Sequence, residues 1–186
     1  AQSLNTVNYT FTKTTGTYAN VANGTALNDG ARIAIGFPFY HYGIRFDTLA
    51  VTMEGYIELQ SEVNNCGSML GAFVAFCDVD PNFADSGIKY KVSGNAGSRV
   101  MVIEWRNVAI DFPGTANNND YVNFQIALFE GSNKIEYRYG TNLITDLQAD
   151  LQGYEGPQVF HEISSFITFQ TRNMWLYFSA ASPSVL

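Results

Sequence analysis

The run of residues 99–108 limits the fold most, because it is long and almost continuously made of strand-forming residues. It reads Arg-Val-Met-Val-Ile-Glu-Trp-Arg-Asn-Val, which is typical of one long β-strand. Two more such runs, residues 121–130 and 134–140, predict strands joined by a turn at residues 131–133. The centre of the chain is therefore predicted to be β-sheet.

Shorter runs with turn signals between them continue this pattern along the chain. Further strands are predicted over residues 32–39, 46–52, 56–60, 71–76, 88–92, 151–154, 163–169 and 174–178, with loops at 61–68, 78–82 and 93–98. Pro38 should lie at an edge or a bulge, because it cannot donate to a ladder. About a dozen short strands at this spacing predict an all-β fold, an antiparallel, jelly-roll-like β-sandwich.

The length of 186 residues suits one domain over residues 1–186. The Thr-rich segment 1–17 is predicted to be an edge strand or a strand exchanged with another copy of the chain. The 17 acidic and 10 basic residues give a net charge of −7, and the basic residues are scattered. Nucleic acid and anionic membranes are therefore poor partners. No run reaches the roughly 18 to 20 apolar residues of a membrane span, so no membrane insertion is predicted.

Several motifs occur in an order that is similar to a known module. They are Ile35-Gly-Phe-Pro-Phe39, Ala75-Phe-Cys-Asp-Val-Asp80, Ile88-Lys-Tyr-Lys-Val-Ser-Gly94 and the run 99–108. Over roughly residues 8 to 178 the chain resembles a β-sandwich module of secreted and surface proteins of Bacteroidota-type bacteria, adhesin-like and associated with type IX secretion. The resemblance implies an extracellular or cell-surface protein whose signal peptide has been removed.

Cys66 and Cys77 are the only cysteines, eleven positions apart. In an oxidising compartment they can close one loop, which is worth about 2 to 3 kcal/mol by loop-entropy arguments. Free cysteines are also often small buried apolar residues. Because other features indicate export, the sequence favours the disulfide slightly over two buried thiols.

Asp78, Asp80 and Asp85 surround Pro81, and with Asn82 they offer the hard oxygen ligands that calcium prefers. Their spacing does not match an EF-hand loop, which needs a Gly and a Glu at fixed positions. Acidic turn residues that hydrogen-bond their own backbone are the commoner explanation. Acidic turns are therefore the first interpretation and a calcium site the second, and no other cofactor is predicted.

Glu54, Glu58 and Glu104 are the carboxylates to test against a glycosidase pattern. On a continuous strand Glu54 and Glu58 lie about 13 Å apart, farther than the roughly 5 to 10 Å that flanks a scissile bond. All three are predicted to be solvated residues on a sheet face. Pairing with Arg106 or with a neighbouring strand is the alternative for Glu104. His41 and His161, the only histidines, come with no nucleophile elbow, zinc-binding helix or Cys-x-x-Cys knuckle. The sequence therefore predicts that the protein is not an enzyme.

Tyr40, Tyr42 and Tyr154 lie in or near predicted loops, where flat rings with a polar tip can contact sugars or partner proteins. Local packing is the commoner role of such residues. The predicted function is a secreted, non-catalytic structural or adhesive subunit that assembles with itself into an extracellular filament or surface layer, or attaches to a surface protein or glycan. A carbohydrate-binding module that uses these three rings is the alternative.

Overall fold

The computed structural model of the chain describes residues 12, 14–61, 66–72, 77–110, 121–143, 159–165 and 176–178, the last two ranges and residue 110 by their backbone alone. The strands are, in chain order, β1 (Thr25–Leu27), β2 (Arg32–His41), β3 (Ile44–Val51), β4 (Tyr56–Ser61), β5 (Cys66–Gly71), β6 (Cys77–Val79), β7 (Gly87–Ser93), β8 (Val100–Ile110), β9 (Tyr121–Phe129), β10 (Ile135–Tyr139), β11 (Val159–Ser165) and β12 (Leu176–Phe178). None of the described residues forms a helix long and apolar enough to cross a membrane.

The strands form two antiparallel sheets that face each other. Sheet A has the order β1-β7-β8-β9-β10, with β6 paired to the end of β8. Sheet B has the order β12-β11-β5-β4-β3-β2. In both sheets, strands that follow one another in the chain also pair with each other, from β2 to β5 and from β7 to β10. The predicted all-β, antiparallel sandwich of about a dozen short strands is confirmed.

The hydrophobic core lies between the sheets, where each buries one face. In β2 the side chains of Ile35, Phe37 and Phe39 are buried while their neighbours in the strand are exposed, which is the two-residue period of a strand. On sheet A, Trp105 and Phe124 stack with ring centroids 4.9 Å apart. Each large apolar side chain buried in this way contributes about 1.5 to 3 kcal/mol. Such burial is what holds the sheets face to face.

Two polar contacts also join the sheets. Trp105 Nε1 donates to the carbonyl of Thr52, just after β3, at 2.9 Å. The Tyr139 hydroxyl donates to the carbonyl of Ala72, just after β5, at 2.6 Å. Burial raises the pKa of Tyr139, so the phenol keeps its proton and remains a donor. Both hydrogen bonds run from sheet A to sheet B and fix how the sheets lie against each other.

The edge strand β2 contains the irregularity that Pro38 predicts. β2 ends the order of sheet B, and its pairing with β3 shifts register between Ala34 and Phe39. Gly36, inside this bulge, has a φ of 86°, which favours glycine. The prediction of an edge or bulge for Pro38 is therefore confirmed on both counts.

Some segments predicted as loops belong to strands. Residues 66–68 open β5, which pairs with β4 on one side and β11 on the other. Residues 78 and 79 belong to β6. Small and acidic side chains hide these strands in the sequence, because pairing with neighbouring strands determines them rather than a local apolar pattern. Of the predicted strand 71–76, residue 71 ends β5, and residues 73–76 lie outside the described residues, as do residues 151–154.

Candidate functional site

The outer face of sheet A is covered by residues 18–22, which we call the N-terminal strap. The Tyr18 hydroxyl donates to Glu104 Oε1 at 3.0 Å, and the Val21 N–H donates to Glu104 Oε2 at 3.0 Å. Lys91 Nζ donates to the carbonyl of Ala22 at 2.9 Å. The strap is therefore held to the sheet by polar contacts along its length, although it forms no strand.

Glu104 is the residue on which the strap converges. It lies on β8, between Lys89 of β7 and Gln125 of β9 in the register. Gln125 Nε2 donates to Glu104 Oε1 at 2.8 Å and to the carbonyl of Ala19 at 2.8 Å. The prediction that Glu104 is solvated is wrong: its side chain is fully buried, because the strap covers the face of the sheet to which it points. The alternative, pairing with a neighbouring strand, is confirmed by Gln125 on β9.

Tyr18 docks in a space that a glycine provides. A Cβ atom on Gly140 would lie 2.9 Å from two carbons of the Tyr18 ring and 3.0 Å from Asn123 Cβ. Burial, followed by the charge of Glu104 and the hydrogen bond to it, raises the pKa of Tyr18. The Tyr18 phenol therefore stays protonated and serves as a donor to Glu104.

A cleft of about 230 Å³ lies between the strap and sheet A. Its walls are residues 19–22 of the strap and five side chains from β7 to β10, namely Lys91, Ser93, Val102, Gln125 and Arg138. Gln125 is 1% exposed, and its Oε1 atom has no hydrogen-bond partner among the described residues. The cleft therefore combines two cationic side chains with an unsatisfied acceptor.

The predicted acidic residues are bound to their surroundings in different ways. Asp85 Oδ2 pairs with Arg106 at 2.6 Å, and its Oδ1 accepts from Asn107 Nδ2 at 2.9 Å. Asp78 is exposed, and its Oδ1 accepts from the N–H of Val79. These two carboxylates therefore already have partners within the chain.

Asp80 forms the acidic turn that the sequence favours. Its Oδ1 accepts from the N–H of Asn82 at 2.8 Å, and its own N–H donates to Ser86 Oγ at 2.8 Å. Its other oxygen, Oδ2, is buried without a hydrogen-bond partner among the described residues. Nowhere in the described ranges do three or more His, Cys, Asp or Glu side chains gather as metal ligands would. These contacts favour acidic turns over the calcium site at residues 78, 80 and 85.

Two of the three predicted tyrosines, Tyr40 and Tyr42, lie among the described residues. Tyr40 lies at the end of β2 rather than in a loop and is 42% exposed, opposite Arg45 in the register. Tyr42 lies in the turn after β2 with a φ of 49°, half-buried against the ring of His41. Tyr154 lies outside the described residues. Of the two predicted rings that the structure describes, Tyr40 is therefore the more exposed one.

The structure differs from the predicted disulfide, because Cys66 and Cys77 are free thiols. Cys66 opens β5 in sheet B, Cys77 opens β6 in sheet A, and both are buried and free. Burial raises the pKa of each thiol, so both remain protonated near neutral pH. They match the alternative interpretation of small, buried apolar residues.

The remaining candidates for catalysis lie apart from the strap. His41 is fully buried, and its Nδ1 lies 2.6 Å from Ser68 Oγ. Glu54 is exposed in the turn before β4, and Glu58 lies half-buried on β4. His161 lies on β11, where only the backbone is described.

The strap and its buried carboxyl group are the features that the sequence did not predict. Their signal is weak: Glu104 and Gln125 are polar residues on the two central strands of sheet A, and Tyr18 and Val21 stand in a segment rich in small and polar residues. Polar residues on central strands are ordinary where the sheet face is wet. Only the position of the strap shows that they are buried.

Comparison with known proteins identifies a family for the chain but no individual relative. No curated protein and no solved structure matches it. A family model described as NIDO related matches residues 8–177, nearly the whole chain. The two-sheet protein described above, with its strap over sheet A, therefore belongs to the NIDO-related family.

Proposed function

We propose that the chain is a secreted, non-catalytic structural or adhesive module whose copies associate through segment 1–17. The all-β fold of the chain, its match to the NIDO-related family and its resemblance to modules of secreted and surface proteins support this proposal. So does the use of its carboxylates: Glu104, Asp85 and Glu130 each hold parts of the fold together.

One observation carries the proposal, and it is the contrast at Tyr18. From Tyr18 onward hydrogen bonds fix the chain to sheet A, whereas residues 14–17, directly before it, are exposed and form no hydrogen bond with the described part of the chain. The described end of segment 1–17 is therefore exposed and is anchored to the sheet at Tyr18. Exposed, Thr-rich segments of this kind can add as a strand to the sheet edge of another molecule.

The edge strand β2 is poorly suited to pair with such a segment. On β2, Asn133 Oδ1 accepts from the N–H of Tyr40 at 2.9 Å, and Arg99 Nη1 donates to the carbonyl of Gly36 at 2.6 Å. These side chains occupy backbone groups that an incoming strand would need. We therefore expect the segment to pair with an edge other than β2.

Truncation tests the proposal directly. The chain that starts at Tyr18 keeps every strap contact described above, so it should unfold at the same temperature as the full chain. Size-exclusion chromatography with light scattering, and negative-stain electron microscopy, should show oligomers or filaments for the full chain and monomers for the truncated one. A full chain that stays monomeric at high concentration, or a truncated chain that associates equally well, would contradict the proposal.

Carbohydrate binding through the loop aromatics is the second proposal, and the exposed ring of Tyr40 favours it. Such a ring can stack on a sugar face. If it does, Tyr40→Ala should abolish binding on a glycan array while the melting temperature stays unchanged.

A further inference from the structure

The cleft under the strap has the size of a site for one small ligand and is open to solvent on one side. Residues 19–22 form one wall, and side chains from four adjacent strands form the other. Its volume of about 230 Å³ is below that of most drug-sized pockets, so it suits a single ring rather than a long chain. Val21 and Val102 give it an apolar surface among the polar groups.

Gln125 presents an acceptor that the protein itself leaves unused. Its Nε2 donates to both Glu104 Oε1 and the carbonyl of Ala19, which fixes the orientation of the amide. Oε1 then has no described partner, although the residue is 1% exposed. Buried acceptors without partners are rare in folded proteins. A hydroxyl group on a ligand in the cleft would supply the missing donor.

Two cations in the cleft have donors to spare. Lys91 Nζ donates to the carbonyl of Ala22, which leaves two of its three N–H bonds. Arg138 donates through Nε and Nη2 to Glu136 Oε2, and no described residue accepts from its Nη1. The nearby carboxyl group of Glu104 is occupied by three donors. The spare N–H groups of Lys91 and Arg138 suit an anion, and Gln125 Oε1 suits a hydroxyl group, so one ligand that carries both groups would satisfy the cleft.

We propose that the cleft binds one carboxylated sugar residue, a hexuronic acid, with its carboxylate at Lys91 and Arg138 and a hydroxyl donating to Gln125 Oε1. A neutral sugar would leave the spare N–H groups of Lys91 and Arg138 without an anionic acceptor. A simple carboxylate would leave Gln125 unsatisfied. This site is separate from Tyr40 and does not depend on association between copies.

Isothermal titration of the full chain with sodium D-glucuronate tests the site. We expect saturable binding of one glucuronate per chain, and binding at least tenfold weaker for D-glucose and for acetate. Lys91→Gln and Arg138→Gln should each weaken glucuronate binding at least tenfold. Arg45→Gln, which removes an exposed cation elsewhere, and Tyr40→Ala should leave it unchanged.

A second measurement does not depend on the variants folding. In the wild-type chain, glucuronate should shift the NMR signal of the Gln125 side-chain amide, and glucose should not. Absence of saturable glucuronate binding, equal binding of glucose or acetate, or loss of binding in Tyr40→Ala but not in Arg138→Gln would overturn the proposal.

Discussion

Glu104 lies on a strand face where a carboxyl group ordinarily meets water, yet it is fully buried. Tyr18, Val21 and Gln125 supply three donors to its two oxygens. A buried carboxyl group is tolerated only when such partners replace water. Two of the three donors belong to the strap, so the burial of Glu104 and the docking of the strap depend on each other.

Glu104→Gln should therefore destabilise the protein. The substitution keeps the shape of the side chain but places an NH₂ group among donors, so that one buried donor loses its acceptor. We expect the free energy of unfolding to fall by about 2 to 3 kcal/mol, as measured by urea denaturation. Glu136→Gln, a more exposed change on the same sheet, should cost less than about 1 kcal/mol. Equal losses in the two variants would argue against a special role for Glu104.

Glu130 is the residue whose contribution should depend most clearly on pH. Hydrogen bonds from the Arg99 side chain, helped by the N–H groups of Arg99 and Gly97, lower its pKa from 4.5 to about 2. Because the folded-state pKa is the lower one, the stabilisation is present above about pH 4.5 and is lost as the pH falls toward 2.

The melting temperatures of wild type and Glu130→Gln should thus differ at pH 7, and the difference should shrink at pH 2.5. Asp47→Asn is the matched control, because Asp47 pairs with Arg45 where both side chains are about half exposed. It should change the melting temperature little at either pH. A Glu130→Gln difference that is as large at pH 2.5 as at pH 7 would refute this assignment.

Residues whose environment is set locally could be predicted, and those set by distant segments could not. Pro38 lacks an N–H wherever it lies, and Asp80 caps its own turn through a residue two positions away. Glu104 instead meets Tyr18, 86 positions away in the sequence. No local pattern carries that contact, which is why the sequence indicated a solvated residue.

At the scale of elements, the strands that have a local pattern could be predicted from the sequence, whereas the strap, which is placed by distant contacts, could not. β8 and β9 are rich in β-branched and aromatic residues, and their approximate bounds follow from the sequence. β5 contains Cys, Gly and Ser at its start and could not be recognised without β4 and β11 beside it. The strap has no repeating pattern, so its position depends on the sheet that it covers.

Gly140→Ala tests whether the strap depends on the space beside Tyr18. The added Cβ would lie 2.9 Å from the ring and 3.0 Å from Asn123 Cβ, too close for either to remain in place. The ring must move, and the bond from Tyr18 to Glu104 should weaken. Hydrogen exchange of the Val21 amide, which donates to Glu104, should therefore become at least several-fold faster.

Gly16→Ala provides the control within the same segment, because a Cβ there would meet nothing within 4 Å. It should leave exchange at Val21 unchanged. Unaltered protection of Val21 in Gly140→Ala would show that the strap does not need the Tyr18 contact.

At the scale of the whole molecule, the strap adds a partial third layer to a two-layer sandwich. Seven consecutive residues of β9 are buried. One face meets sheet B, and on the other face the strap contacts Gln125 while Thr141 and Asn142 contact Asn123. Sandwich strands usually bury one face only. The sequence predicts the two sheets, since each carries its own apolar pattern, but it does not predict the cover on sheet A.

The hydrogen bond from Tyr139 to Ala72 tests how the two sheets are joined. Tyr139→Phe keeps the ring but removes the donor, and it leaves the carbonyl of the fully buried Ala72 without that partner. We expect the free energy of unfolding to fall by about 1 to 3 kcal/mol at pH 7. Tyr40→Phe, at an exposed ring, should have almost no effect.

Alkaline pH tests whether the Tyr139 phenol is buried with its proton. Burial raises the pKa of Tyr139 above the ordinary value of 10.0, so its stabilisation is complete below pH 10 and is lost as the pH rises toward the folded-state pKa. The stability difference between wild type and Tyr139→Phe, from urea denaturation, should therefore be smaller at pH 11 than at pH 7. A constant difference would show that the phenol is not buried with its proton. The joining of the sheets would then depend on the core, on the hydrogen bond from Trp105 to Thr52 and on that from Arg99 to Gly36.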